Sequence, residues 1–380
     1  MRTLTVAVLS GILLAGACTS NRGEPATATT QPQIASTEPP SALAARDANF
    51  IDGHWEELPN QGGVHDLVWS GRELLLYGYE VPNPLPSIRV FDPSTTAVRS
   101  FPVPGPARSG ASTTWTGSEL LVIGGRPEAA DVALRDFAFD PTTGGWRALA
   151  PSPLSARHRA PIVWTGREAI VVSGFDARLV IGSEPLAAGG AAYDPTTDTW
   201  RAIADPGDLA AGDHLVNKAL WTGTEVVVWG TRNSAATGPT GAMAAYNPAT
   251  DSWRELAKPP VMSVGGEQLA WAVQSNGNVI ALGVLGHTAA LNLASNQWHR
   301  LPDFFERALV LPQLVTIADR IVIVIGEPRV LNADRTTWQL GPKTPRPGGP
   351  IARLAWTGRE LYAIGGQGDF AKYIPPNPIN

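Results

Sequence analysis

Val163-Trp164-Thr165-Gly166-Arg167-Glu168 runs directly into Ala169-Ile170-Val171-Val172 and stops at Ser173-Gly174. The phrase reads as strand, tight turn, strand. Its turn is polar and holds a glycine, which takes up positive φ at no steric cost. The strand after the turn is continuously apolar over four residues. That is the mark of a short strand covered on both faces, and it is too brief for a buried helix. The same phrase returns as VWSGRELLLYG from Val68, TWTGSELLVIGG from Thr114, LWTGTEVVVWG from Leu220 and AWTGRELYAIGG from Ala355. AVQSNGNVIALG from Ala272 and VTIADRIVIVIG from Val315 are degenerate copies, which makes seven.

A second phrase follows each of the first six copies. It reads FDPSTTAV from Phe91, FDPTTGGW from Phe139, YDPTTDTW from Tyr193, YNPATDSW from Tyr246, LNLASNQW from Leu291 and LNADRTTW from Leu331. Asp-Pro and Asn-Pro open turns, because the side chain caps nearby N–H groups while proline presets φ. One strand precedes this turn and another follows it, so each unit holds four strands. Trp69, Trp115, Trp164, Trp221 and Trp356 share one register. Trp55, Trp146, Trp200, Trp253, Trp298 and Trp338 share a second, so the two registers hold eleven of the thirteen tryptophans. An aromatic at a fixed place in every unit is a wedge between neighbouring sheets.

The units repeat every 40 to 57 residues. Four-stranded units of that length are propeller blades. The seventh unit ends at its third strand, Phe370-Ala371-Lys372-Tyr373. Its missing fourth strand is matched by Trp55-Glu56-Glu57-Leu58-Pro59 near the N-terminus. The expected fold is therefore all-β, a seven-bladed propeller whose last blade is closed by the N-terminal strand. Such closure leaves no free sheet edge inside the ring.

At roughly residues 50 to 375 the chain resembles the kelch-repeat propeller family, and through it the central domain of galactose oxidase. The resemblance rests on the glycine pairs Gly124-Gly125 and Gly365-Gly366 and on the aromatic pairs Tyr193/Trp200 and Tyr246/Trp253. Five copies have a single glycine, and Val98 stands where the other units have tryptophan. The copper chemistry of galactose oxidase needs a cysteine cross-linked to tyrosine, and the sole cysteine here lies elsewhere. Sialidase turns need a serine and a glycine spacing that most copies lack. The resemblance also extends to secreted sialic acid epimerases, whose catalytic residues match no positions here.

The chain has 380 residues, 43% hydrophobic and only 17% charged, with 39 glycines and 34 prolines. A folded core is within reach and global disorder is excluded. The net charge of −5 gives no basic footprint for nucleic acid. One cysteine excludes a disulfide framework, a zinc ribbon and a CxxC redox pair. No paired-histidine motif, nucleophile elbow, phosphate loop or dinucleotide fingerprint occurs, so nothing calls for a metal or other cofactor.

Residues 1–17 read as a signal peptide. Arg2 is a minimal positive end, and the apolar run from Leu4 to Ala17 is too short to span a bilayer. Leu14-Ala15-Gly16-Ala17-Cys18 resembles a bacterial lipobox, which implies lipid attachment at Cys18. Residues 18–48 are rich in Thr, Ser, Pro and Ala and lack aromatics, so they are expected to stay disordered as a tether. Extended, such a tether reaches about 90 Å. The propeller takes residues 49–380.

In a propeller the loops into the first strand and between the second and third strands open on one face. The long second-to-third loops, Tyr79 to Ser87, Arg126 to Arg135, Phe175 to Gly189 and Thr231 to Gly241, place function there. The innermost strands begin with His65 and Asp66, Arg108, Arg157 and His158, His214 and Lys218, Glu267, Arg307 and Arg353. His65, Arg108, Arg157, His158, His214, Lys218, Glu267 and Arg353 are the candidate ligand-binding residues, converging on the channel to take an anionic group. The expected function is a monomeric binding or interaction scaffold, lipid-anchored on the outer side of a cell membrane, with a protein, glycan or peptide partner. The alternative is an enzyme acting on carbohydrate or peptide at the channel mouth, of the epimerase kind.

Overall fold

The computed structural model describes residues 52–376 apart from 80–85, 129–132, 178–186, 188, 207–213, 235–237, 261–268, 276, 284–285, 305–312, 318–319, 326, 333–334, 346–350 and 366–367. The signal segment 1–17, Cys18 and the tether 18–48 lie outside the described residues. The described chain forms seven four-stranded antiparallel sheets and holds no α-helix. Blades 1 to 6 each take four strands in chain order, and in blades 2 and 3 a strand of a short two-stranded ribbon intervenes between the second and third. Blade 7 runs Ile351–Trp356, Leu361–Gly365, Phe370–Ile374 and then His54–Leu58 from the other end of the chain. The innermost strands neighbour one another in chain order, and that of blade 7 meets that of blade 1. The structure is a closed seven-bladed propeller.

Each repeated phrase has a local physical cause. In blade 3 the turn between Trp164 and Ala169 is closed by the Thr165 amide donating to the Glu168 carbonyl at 3.0 Å. The Thr165 hydroxyl donates to the same carbonyl, and accepts from the Glu168 amide at 3.0 Å. Ser70, Thr116, Thr222 and Thr357 do likewise in their blades. Gly166 sits at φ 92° with open space where a side chain would point, so the backbone angle alone demands glycine there. The second strands, such as Leu120–Ile123 and Ala169–Val172, are buried along their whole length, as their unbroken apolar pattern requires.

The core is divided among seven clusters, one at every junction between blades. The aromatic registers organise them. Phe139 faces Trp146 across one strand pair, Tyr193 faces Trp200, Tyr246 faces Trp253, and Tyr373 faces Trp55. Their ring centroids lie 4.8 to 5.4 Å apart. The indole N–H then crosses to the preceding blade. Trp200 donates to the Ala150 carbonyl at 2.9 Å, Trp253 to Ala204 at 2.8 Å, Trp298 to Ala257 at 2.7 Å and Trp338 to Pro302 at 2.8 Å. Trp55 donates to Pro342 of blade 6 at 3.0 Å, so the closing strand reproduces the junction used elsewhere.

An arginine beside the tryptophan adds a second tie. Arg147 holds Glu119 of its own blade with two hydrogen bonds, at 2.8 and 2.7 Å, and reaches the Tyr193 hydroxyl of blade 3 at 3.0 Å. Arg201 repeats this with Glu168 and Tyr246. In blades 5 and 6 the glutamate becomes Asn278 and Arg320, and the arginine becomes His299 and Gln339. Both members change together, so neither blade keeps one half of the Arg–Glu pair.

Two outcomes test this account of closure. Trp55→Ala is expected to cost roughly 3 kcal/mol by loss of ring packing and the Pro342 hydrogen bond. Trp55→Phe, which keeps a ring but no N–H, is expected to cost only about 1 kcal/mol. Urea unfolding of both variants provides the measurement.

Candidate functional site

Four innermost strands carry a bulge, and all four fall at one register. The ladder skips a residue between Val64 and Asp66, Val216 and Lys218, Leu269 and Trp271, and Ile351 and Arg353. A bulge re-aims the side chain beside it. Asp66, Lys218 and Arg353 each stand three residues before the inner tryptophan of their blade, at Trp69, Trp221 and Trp356. Blades 1, 4 and 7 therefore present one charged residue each at the same height of the channel wall. In blades 2 and 3 the first strand is interrupted at this height, where Gly110 and Arg159 take positive φ of 64° and 52°. The residues before the break form the short ribbons Arg108–Ser109 and Arg157–His158.

The charges from different blades meet. Arg353 Nε lies 3.5 Å from Asp66 Oδ1. The Thr113 hydroxyl of blade 2 donates to Asp66 Oδ2, and the Leu67 amide donates to Oδ1 at 3.0 Å. Lys218, partly buried on blade 4, lies within the fields of both Arg353 and Asp66. Burial first and Arg353 second push its pKa down to about 8, against an opposing pull from Asp66. His65 stands edge-on to Tyr79 at 5.0 Å. Burial of its ring, then Arg353, lowers its pKa, with Arg159 and Arg89 adding to the effect. The neighbourhood holds more positive than negative groups in a chain whose overall charge is −5.

Of the eight residues expected at the rim, Arg353 meets Asp66, the sequence neighbour of His65, and Lys218 lies within the electrostatic reach of both. Arg108, Arg157 and His158 need correction, because they face into the protein. Arg108 is fully buried. It donates to the carbonyls of Arg135 at 2.7 Å and Gly124 at 3.3 Å, and its guanidinium lies 5.5 Å from the centre of the Phe137 ring. Arg157 donates to the carbonyls of Ser173 at 2.9 Å, Ser155 at 3.1 Å and Gly189 at 3.3 Å. His158 is buried beside Phe175, with ring centroids 5.5 Å apart. These two arginines satisfy loop carbonyls that no strand pairs, as buried polar groups require. His214 pairs with Arg232 in the sheet, its side chain outside the described set, and Glu267 lies outside the described residues.

Sequence reasoning did not select Thr113 or Arg159. Thr113 carried a readable signal: it adjoins the charge-bearing register in the blade beside Asp66. Among the described residues no three His, Cys, Asp or Glu side chains gather to hold a metal ion, and no helix is long and apolar enough to cross a membrane. A separate cavity of about 220 Å³ lies between blades 6 and 7, lined by Leu58, Pro345, Ala363 and Phe370 with Glu57 and Asp369. None of the channel charges lines it, so it is a different feature from the bulge site.

No family model matches the chain, and no curated protein matches it. Among solved structures it is similar to the virginiamycin B lyase of Staphylococcus aureus, in a catalytically inactive H270A form with quinupristin. The match has a TM-score of 0.61 and 11% identity, and covers 85% of this chain and 99% of that one. At that identity the likeness is one of fold. Matches extend to 1048 solved chains, so the architecture singles out no activity.

Buried and channel arginines are expected to separate in stability measurements. Arg108→Met strands the carbonyls of Gly124 and Arg135 and should cost about 3 kcal/mol, whereas Arg353→Met should cost less than about 1 kcal/mol. The pH dependence has a definite sign. The folded pKa of Lys218, about 8, lies below its ordinary value of 10.5. Between those values the unfolded chain binds a proton that the native chain does not, so stability rises with pH across the window. Denaturant midpoints from pH 7 to 10.5 should show that rise in the wild type, and Lys218→Met should lose it.

Proposed function

We propose that this chain is a lipid-tethered propeller of the kelch kind, outside the cell membrane, that binds a partner through an anionic group seated at the channel mouth. The carrying observation is the convergence of Asp66, Lys218 and Arg353 from three blades at one bulged register. A closed ring of sheets holds strand-borne groups in fixed relation, and fixed charges lose little freedom on binding. Lys218 and Arg353 supply the attraction. Asp66, held by Thr113 and Leu67, orients the guanidinium and keeps the pair of cations compatible.

The domain plan supports the location. A signal peptide at 1–17, lipidation at Cys18 and a tether over 18–48 would leave the propeller free of the bilayer surface. A protein, glycan or peptide bearing a carboxylate fits such a mouth. The enzyme reading keeps one specific support, the half-buried amine of Lys218 beside a guanidinium.

Two measurements decide the proposal. Cells fed a radioactive fatty acid are expected to label the wild-type chain and leave Cys18→Ser unlabelled; equal labelling overturns the anchor. Partners retained by the immobilised wild-type chain from an extract of acidic glycans and peptides are expected to bind Lys218→Gln/Arg353→Gln at least about tenfold more weakly, since a charge-assisted hydrogen bond is worth that factor or more. Undiminished retention overturns the channel site.

A further inference from the structure

In blades 2 to 5 one side chain plugs the seam with the following blade. Leu149, Ile203, Leu256 and Leu301 stand three residues after an outer tryptophan, and each is buried in the cluster shared with the next blade. Their amides donate to the carbonyls of Asp136, Gly190, Met243 and Thr288. Blade 6 makes the same bond, from the Gly341 amide to the Pro328 carbonyl at 2.8 Å, but the residue is glycine and supplies no plug. Blade 7 is trimmed on the side that meets it. The row Ala363, Ala371, Glu57 crosses three of its strands. Strand alternation puts that row on the face that carries Leu361, Tyr373 and Trp55 toward blade 6. In blades 3 and 4 the same row begins with Val171 and Val228. A plug and a valine are thus both absent at one junction, and there lies the cavity of about 220 Å³.

We propose that this cavity binds a primary amine carried on a small apolar ring. The site is separate from the channel charges and does not rest on them. An apolar cavity of about 150 Å³ already admits benzene, so this one has room for a ring with a short arm. Leu58, Ala363 and Phe370 line it with apolar surface. Glu57, at the end of the alanine row, and Asp369 add two carboxylates, and no Lys, Arg or His is among the described residues that line it. A carboxylate has about four acceptor sites, so an ammonium group adds to the hydrogen bonds these two already accept. The wall on that side is fixed: the Asp369 carbonyl accepts the Gly365 amide at 2.8 Å, and the Gly368 carbonyl accepts the Gln61 amide at 2.9 Å.

The test titrates the full chain with phenethylamine and follows the methyl NMR signal of Ala371. A saturable shift is expected. The uncharged 2-phenylethanol is expected to bind at least about tenfold more weakly, since it forms no charge-assisted hydrogen bond, and phenylacetate is expected to leave the signal unmoved. Ala363→Leu restores the bulk that Leu76 has at this register of blade 1. It is expected to abolish the shift while keeping a thermal midpoint at or above that of the wild type, as a filled cavity does. Should that variant fail to fold, Ala363→Val, with the side chain blades 3 and 4 carry there, is expected to weaken binding at least about tenfold. Glu57→Gln/Asp369→Asn is expected to weaken phenethylamine about tenfold and to leave 2-phenylethanol unchanged. No saturable shift, or one that survives in a folded Ala363 variant, overturns the site. Equal affinity for amine and alcohol, or an amine affinity untouched by the double variant, overturns the ligand class.

Discussion

The indole N–H that Trp55, Trp200, Trp253, Trp298 and Trp338 send to the blade before them is the contact on which the ring depends. A four-stranded sheet of this size cannot bury its own faces, so every blade is stable only against two neighbours. The tryptophan meets both needs at one position. Its ring covers the aromatic or leucine opposite, and its one polar group finds a carbonyl at the exit of the preceding outer strand. Asp198, Asp251 and Asn296, in positive φ near that ring, accept the amides next to those carbonyls: Ala150, Ala204 and Ala257. Both backbone groups at the exit are thus satisfied by the next blade, which fixes the angle between sheets as well as their distance.

Five such junctions serve a ring of seven, and the one at blade 7 depends on both ends of the polypeptide. His54–Leu58 is largely exposed along its length, yet it carries Trp55, Glu56 bonded to Lys372, and Leu58 in the cluster between blades 7 and 1. The closing strand is held by a few strong contacts rather than by deep burial. This is why the ring needs the same indole there as elsewhere. A smaller residue would leave blade 7 with a loose outer edge, the hazard that closure exists to remove.

The architecture was legible in the amino-acid order because its causes are local. Turn chemistry at Thr165-Gly166 and Asp140-Pro141, unbroken apolar runs and evenly spaced tryptophans act within a few residues of one another. Ring closure was legible for the same reason, since Trp55 repeats a local pattern. The site was legible only in part. Arg108, Arg157 and Arg353 look alike in sequence, each near the start of an innermost strand. What separates them is whether the backbone bulges or breaks. In blades 1, 4 and 7 the strand continues through a bulge that places a charged residue at one register. In blades 2 and 3 it breaks, leaving loop carbonyls to which a buried guanidinium donates. That difference depends on hydrogen bonds to Gly124, Arg135, Ser173 and Gly189, which lie 16 to 32 residues away.

The two uses of arginine are complementary. The buried ones donate to carbonyls at the described ends of the second-to-third loops of blades 2 and 3. The channel arginine instead pairs with a carboxylate, Asp66, and keeps part of its side chain in solvent. Rigidity in the first group is what makes the second useful. A guanidinium discriminates a planar anion by geometry only if its own plane is fixed, and here that plane is set by Asp66, which Thr113 in turn holds from the next blade. The path from the ring to the recognition chemistry therefore runs through three consecutive blades, and any slackening of their junctions reaches the site as misalignment before it reaches it as unfolding.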